Sequence, residues 1–148
     1  MPFGAHQYFK CGDLNYITIL RNPVERIISH YYYIKRNPDH YLYRKITDHN
    51  YAVDDIIKNK LSTEFDNGQT RLLASDFAGI DDQAVFGKVD DLMYQKTINN
   101  IDKHFMGVYI SELFDESVLL LKKQLGWEKN PFYKKRNVTI GRPSKKNQ

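Results

Sequence analysis

A run of strand-forming residues leads directly into an Asn-Pro turn and a helical pattern across residues 16–33, YITILRNPVERIISHYYY. The β-branched and aromatic residues 16–20 predict a short buried strand. Asn22 is a good helix N-cap, Pro23 suits the first helical position, and Glu25 falls where a capping-box carboxylate belongs. The segment therefore predicts a strand, a tight turn and a capped helix.

The rest of the chain alternates helical patterns with polar turns and one further strand. Because strands alternate with helices, the fold class predicted is α/β with a parallel sheet. Two strands are too few for a stable sheet, so further strands are either hidden in the pattern or missing from the chain. The predicted elements are a loop over residues 36–50, helices over 52–61, 69–75 and 92–101, a strand over 105–110, and a helix that Ser111 caps and Gly126 ends.

The bulk composition indicates one soluble domain over residues 1–148. A chain of 148 residues can bury a real core. It has a single cysteine, Cys11, which excludes an internal disulfide framework and a cysteine-rich zinc site. No apolar run approaches the ~20 residues of a membrane helix, and the first residues lack the apolar core of a secretory signal.

The positive charge is concentrated at one end of the chain. Seven of the 22 basic residues lie in residues 129–148, which contain no acidic residue, so 15 basic residues face all 18 acidic ones before that tail. This basic tail, from about residue 129, indicates a local anion contact or a solvated terminus. A small basic nucleic-acid-binding protein is the less favoured alternative, because no aromatic-and-basic motif of a nucleic-acid module is present.

Arg21 and Ser29 are the first candidate site residues. Ligands of open parallel α/β sheets gather where strands end and helices begin, and Arg21 lies at such a point. Ser29 follows about two turns into the helix, roughly 9 Å along its axis, so an arginine fork and this hydroxyl could hold opposite sides of one phosphate. Alternatively, Arg21 pairs with a nearby carboxylate and Ser29 faces solvent or a packed helix.

The segment YITILRNPVERIISHYYY resembles the 3′-phosphate-binding segment of the carbohydrate sulfotransferases, the group that includes the heparan sulfate 2-O- and 6-O-sulfotransferases and related bacterial enzymes. That segment runs strand, Arg-Asp/Asn-Pro, x-Glu-Arg, two apolar residues, Ser, then aromatics. Four further stretches resemble the family in its order along the chain. They are MPFGAHQYF, DNGQTRLLAS, FMGVYISELFDESVLLLKKQLGW and the basic stretch KKRNVTIGRP.

The resemblance implies a P-loop NTPase-like parallel sheet flanked by helices, with 3′-phosphoadenosine 5′-phosphosulfate (PAPS) as the sulfuryl donor and a carbohydrate hydroxyl as the acceptor. It implies that Arg21 and Ser29 hold the 3′-phosphate and that Lys135 and Arg136 close on the nucleotide. It implies no metal, and the sequence shows no clear metal site: His30, His40, His49 and His104 have no acidic or cysteine partner at ligand spacing and are interpreted as surface or packing residues.

One family element has no counterpart in the chain. The Pro-Lys-x-Gly/Ala-small-Thr/Ser loop that binds the 5′-phosphosulfate is not found, so the domain is expected to be N-terminally truncated. His6 aligns with a family position and is the remaining candidate for the catalytic base. A nucleotide-binding remnant that keeps only the 3′-phosphate half-site is therefore an alternative to an active sulfotransferase.

The compartment and the acceptor stay open at this stage. Any membrane anchor would precede Met1. A bacterial protein would be cytoplasmic or membrane-associated, and a eukaryotic protein anchored upstream would lie in the Golgi lumen. The segments expected to bind the acceptor are residues 36–65 and 76–90, where the pattern is least regular.

Overall fold

A computed structural model describes residues 15–74 and 85–134. In these ranges the chain forms two strands and six α-helices, with two short 3-10 helices between them. In chain order the longer elements are β1 (Tyr16–Leu20), α1 (Pro23–Arg36), α2 (Tyr43–Asp48), α3 (Val53–Lys58), α4 (Gly68–Ala74), α5 (Asp91–His104), β2 (Phe105–Ile110) and α6 (Phe114–Leu125). The 3-10 helices are Thr63–Phe65 and Ser111–Leu113. The α/β class is confirmed, and a P-loop NTPase-like sheet stays a prediction.

The strand–turn–helix prediction is confirmed in its main parts. Asn22 caps α1, because its side-chain oxygen accepts the backbone N–H groups of Val24 at 3.1 Å and Glu25 at 3.2 Å. Pro23 is the first helical residue. The predicted capping box differs, since the backbone N–H of Asn22 donates to Glu112, 90 residues away, rather than to Glu25.

The two strands pair in parallel, and their carboxyl ends lie side by side. Leu20 is paired with Ile110, after a register irregularity between Tyr16 and Ile17 near the start of β1. The helix α5 leads into β2, and α6 follows it after the 3-10 turn Ser111–Leu113. This register brings the residues after Leu20 next to the residues after Ile110, and the candidate site begins there.

A core of buried side chains lies among α1, α2, α3 and the first 3-10 helix. Its members are Tyr31, Ile34, Leu42, Ile46, Ile56 and Phe65. The prediction of a loop over residues 36–50 is wrong, because Leu42 and Ile46 are buried against α1 and support the short helix α2. Tertiary burial thus overrides a locally polar, turn-rich sequence.

The C-terminal helix begins differently from the prediction and ends as predicted. Ser111 does not cap it, because the 3-10 turn intervenes and the Ser111 hydroxyl donates to Glu112. Ser117 instead connects α6 to the end of β2, accepting the Ile110 N–H at 3.2 Å and donating to the Ile110 carbonyl at 3.0 Å. Gly126 ends the helix in the left-handed conformation, with φ of 65°.

Candidate functional site

The turn between β1 and α1 is held from the neighbouring strand end. The Asn22 N–H donates to Glu112 Oε1 at 3.0 Å. This hydrogen bond lowers the pKa of the Glu112 carboxyl, so the group stays ionised. The parallel register is the reason for the contact, since Leu20 and Ile110 are partners and Glu112 follows two residues after Ile110.

The side-chain amide of Gln69, in α4, fixes the backbone of Arg21 from the other side. Its Oε1 accepts the Arg21 N–H at 2.8 Å, and its Nε2 donates to the Arg21 carbonyl at 2.9 Å. An amide that forms both bonds reproduces the pairing of an adjacent strand. Gln69 therefore takes the place of a strand partner at the residue that starts the site.

The guanidinium of Arg21 lies near two carboxylates without forming a hydrogen bond to either. Its Nη2 is 3.9 Å from Glu25 Oε2, and its Nε is 4.0 Å from Glu112 Oε1. Both distances exceed hydrogen-bond range. The alternative in which Arg21 pairs with a nearby carboxylate is therefore present as two long ion pairs, and about a third of the side chain (34%) is exposed.

The structure brings Arg21 and Ser29 to the same open pocket, of about 310 Å³. Six residues line it: Arg21, Arg26, Ser29, His30, Tyr33 and Arg36. All but Arg21 belong to α1, where the spacings of three and four residues place their side chains on one helix face. The predicted pair is therefore joined by two further arginines and a histidine.

Arg26 and Arg36 were not singled out from the sequence. Arg26 Nη1 donates to the Glu64 carbonyl at 2.7 Å, and burial lowers the pKa of its guanidinium, which remains protonated at neutral pH. Arg36 Nε donates to the Tyr32 carbonyl within the same helix. The signal that could have found both is their helical spacing from Ser29.

His30, which lines this pocket, lies next to His40 and Glu64. His30 Nε2 and Glu64 Oε2 are 2.6 Å apart, and this hydrogen bond lowers the pKa of the Glu64 carboxyl. The His30 and His40 rings are 5.6 Å apart in an edge contact, and burial lowers the pKa of His40. Sequence spacing gave these histidines no acidic partner, because Glu64 lies 34 residues after His30.

The tyrosine run of α1 is divided between the core and the pocket. Tyr31 is buried and its hydroxyl donates to the Tyr51 carbonyl at 3.0 Å, whereas Tyr33 lines the pocket. The predicted site residues His6, Lys135 and Arg136 lie outside the described residues.

The family model described as galactose-3-O-sulfotransferase matches residues 8–144. The match supports a carbohydrate sulfotransferase family but not its heparan sulfate 2-O- or 6-O-sulfotransferase members. Comparisons with curated proteins and with solved structures gave no match. Among the described residues, no helix has the length and apolar character to cross a membrane.

Proposed function

The chain belongs to the galactose-3-O-sulfotransferase family, and from that premise we propose that it transfers a sulfuryl group from PAPS to a carbohydrate hydroxyl. Family membership makes the chain a sulfotransferase by class. Naming the donor and the acceptor makes the proposal more specific than this class. The observation that supports the donor is that Arg21 and Ser29 line the same pocket.

This pocket suits a phosphate monoester. The Arg21 fork can donate two parallel N–H groups to phosphate oxygens, and the Ser29 hydroxyl can donate a third hydrogen bond. Arg26 and Arg36 add positive charge from the same helix face. Three guanidinium groups and one hydroxyl around one open cavity fit a ligand with two negative charges better than they fit a neutral sugar.

The phosphate would be held by side chains rather than by the start of α1. The backbone N–H groups of Val24 and Glu25 already donate to the Asn22 side chain. A ligand at this pocket therefore gains little from free helix N–H groups, which are the usual phosphate donors at a helix start. The affinity is expected to depend mainly on Arg21 and Ser29.

In the proposed reaction the acceptor oxygen attacks sulfur in line with the bond to the leaving phosphate. The new oxygen–sulfur bond forms as that bond breaks, the hydroxyl proton passes to a base, and adenosine 3′,5′-bisphosphate leaves. Arg21 and Ser29 orient the nucleotide through its 3′-phosphate. We assign His6 as the base and Lys135 and Arg136 as the residues that close on the nucleotide.

The acceptor proposed is a galactoside. The description of the matching family names the 3-hydroxyl of galactose, so that hydroxyl is the first to test. A β-galactoside with a free 3-hydroxyl, compared with the same compound blocked at that position, distinguishes the proposed hydroxyl from the others on the sugar.

The test is transfer of labelled sulfate from PAPS to the galactoside by the full chain. We expect transfer to the free 3-hydroxyl and at least a tenfold lower kcat/KM in Arg21→Ala and Ser29→Ala. The control is Arg44→Ala, which removes an exposed arginine outside the pocket lining. A folded wild-type chain that binds the donor but transfers no sulfate to any galactoside would contradict the proposed reaction and favour a nucleotide-binding remnant.

A further inference from the structure

Three side chains of the types that bind metals lie close together beside the pocket, and they come from separate parts of the chain. His30 belongs to α1, His40 to the turn between α1 and α2, and Glu64 to the 3-10 helix Thr63–Phe65. One ligand atom from each lies within 4.8 Å of those of the other two. We propose that these three side chains bind a zinc ion, each through one nitrogen or one carboxylate oxygen.

The ligand set matches the chemistry of zinc. Two imidazoles and one carboxylate are a recurring set for zinc sites that keep an open fourth position. Magnesium and calcium prefer all-oxygen ligand sets, which this cluster does not offer. The open position would be taken by water or by an anion in the pocket, because His30 also lines that pocket.

The spacing of His30 and Glu64 requires only a small adjustment. Their Nε2 and Oε2 atoms are 2.6 Å apart and form a hydrogen bond. A zinc ion at about 2.0–2.2 Å from each ligand holds two ligand atoms about 3.4 Å apart, so the pair must open by less than about 1 Å. Zinc would thus take the place of this hydrogen bond. The Tyr41 hydroxyl also bonds to the Glu64 carboxylate and helps to orient it.

His40 and Arg26 limit the affinity. The Leu42 N–H donates to His40 Nδ1 at 3.2 Å, so coordination through Nε2 requires the imidazole proton to move and this hydrogen bond to be lost. Arg26 donates to the Glu64 carbonyl at 2.7 Å, and its positive charge opposes a second cation. With one anionic ligand, the site is expected to bind zinc in the micromolar range rather than as a permanent structural ion.

The decisive experiment is calorimetric titration of the metal-free full chain with zinc chloride. We expect one zinc ion per chain and a rise in Tm that a chelator reverses. His40→Gln should weaken binding at least tenfold, because it removes one ligand and keeps the side chain polar. His49→Gln is the matched control, since His49 is exposed and is not one of the three proposed ligands; its Nδ1 bonds to the Lys45 carbonyl and its ring stacks on Tyr51.

Cobalt provides a second measurement that does not depend on variant folding. Cobalt bound to the wild-type chain should give the visible bands of a four-coordinate nitrogen and oxygen site, and zinc should abolish them. A thiolate charge-transfer band would assign the ion to Cys11 and overturn the proposal. Absence of saturable binding by the wild type, or unchanged binding in folded His40→Gln, would overturn it equally.

Discussion

The helical core and the two-stranded sheet differ sharply in how well they bury their apolar residues. In the helical core, Ile34 and Ile56 are 0% exposed. In the sheet, Ile17 and Ile19 are 44% and 46% exposed, although both lie on a strand of the kind that parallel sheets usually bury on both faces. The pocket lies at the junction, with Arg21 after β1 and the other lining residues on α1.

This difference indicates where the site obtains its rigidity. Ser29 and the other α1 residues of the pocket are fixed by a helix whose inner face carries Tyr31 and Ile34 of the core. Arg21 follows a strand with little buried surface and relies on hydrogen bonds that its turn makes with the side chains of Gln69 and Glu112. Substitutions in the helical core should therefore have the largest effect on stability. Substitutions of the few polar side chains that contact the turn should mainly change the position of Arg21.

The largest expected effect is the loss of Arg71. Its side chain is 1% exposed and donates to the Asp66 carbonyl at 2.9 Å, the Asp66 carboxylate at 2.5 Å and the Val85 carbonyl at 2.8 Å. Arg71→Ala leaves the buried Asp66 carboxylate without its counter-charge, with only the neutral donors of Gly87 and Asn67, and should lower the free energy of unfolding by about 3–5 kcal/mol. Chemical denaturation measures this, with Arg44→Ala as the exposed control. A loss below about 1 kcal/mol would contradict the role assigned to this ion pair.

A pair of isoleucine substitutions tests the comparison directly. Ile34→Ala removes a fully buried side chain and should cost about 2–5 kcal/mol of unfolding free energy. Ile19→Ala removes a half-exposed side chain from β1 and should cost less than about 1 kcal/mol. The same denaturation measurement applies to both. Equal losses would mean that the face of β1 is buried in solution.

Glycine at position 107 in β2 is expected to matter more than its half-exposed surroundings suggest. A Cβ atom there would lie 2.5 Å from the Tyr109 hydroxyl oxygen and 2.7 Å from its ring carbon Cζ. The Tyr109 ring is buried and its hydroxyl donates to Gln124, so it cannot move aside without losing that contact. Gly107→Ala should destabilise the chain by about 1–3 kcal/mol. Gly87→Ala cannot serve as the control, because the positive φ of Gly87 would strain any side chain there. Ala52→Gly, at the start of a helix, is a milder change of the backbone and serves as the comparison.

The last substitution, at Gln69, is expected to affect the site as well as the stability. Gln69→Leu removes both side-chain hydrogen bonds to the Arg21 backbone and should cost about 1–3 kcal/mol. It should also weaken the binding of adenosine 3′,5′-bisphosphate, because the Arg21 backbone is no longer fixed. Leu72→Gln, at an exposed position of the same helix, is the control. Unchanged nucleotide affinity in Gln69→Leu would show that the two hydrogen bonds of Gln69 do not position Arg21.

Local sequence signals predicted much of the fold. Asn22, Pro23 and Gly126 mark helix ends through their own backbone and side-chain chemistry, so the ends of α1 and α6 could be found without tertiary information. The helix α2 could not, because it depends on Leu42 and Ile46 finding buried positions against α1. The capping interaction of Glu112 also depends on the strand register, which the local sequence does not contain.

In the candidate site, too, some features could be predicted from the sequence and others could not. That Arg21 and Ser29 line one pocket was predictable, because the two lie on one continuous strand–turn–helix segment. The approach of Glu64 to His30 joins residues 34 positions apart, and Gln69 reaches Arg21 across 48 positions. No spacing rule gives such contacts, since they depend on how α1, α4 and the first 3-10 helix pack.

The 3′-phosphate site is tested most directly by calorimetric titration of the chain with adenosine 3′,5′-bisphosphate, for the wild type, Arg21→Ala, Ser29→Ala and Arg44→Ala. We expect saturable binding by the wild type and Arg44→Ala, and a loss of at least tenfold in affinity in each pocket variant, because in the proposed site one phosphate contacts both side chains. Undiminished binding by folded Arg21→Ala and Ser29→Ala, or no binding by the folded wild type, would contradict the claim that this pocket holds the 3′-phosphate.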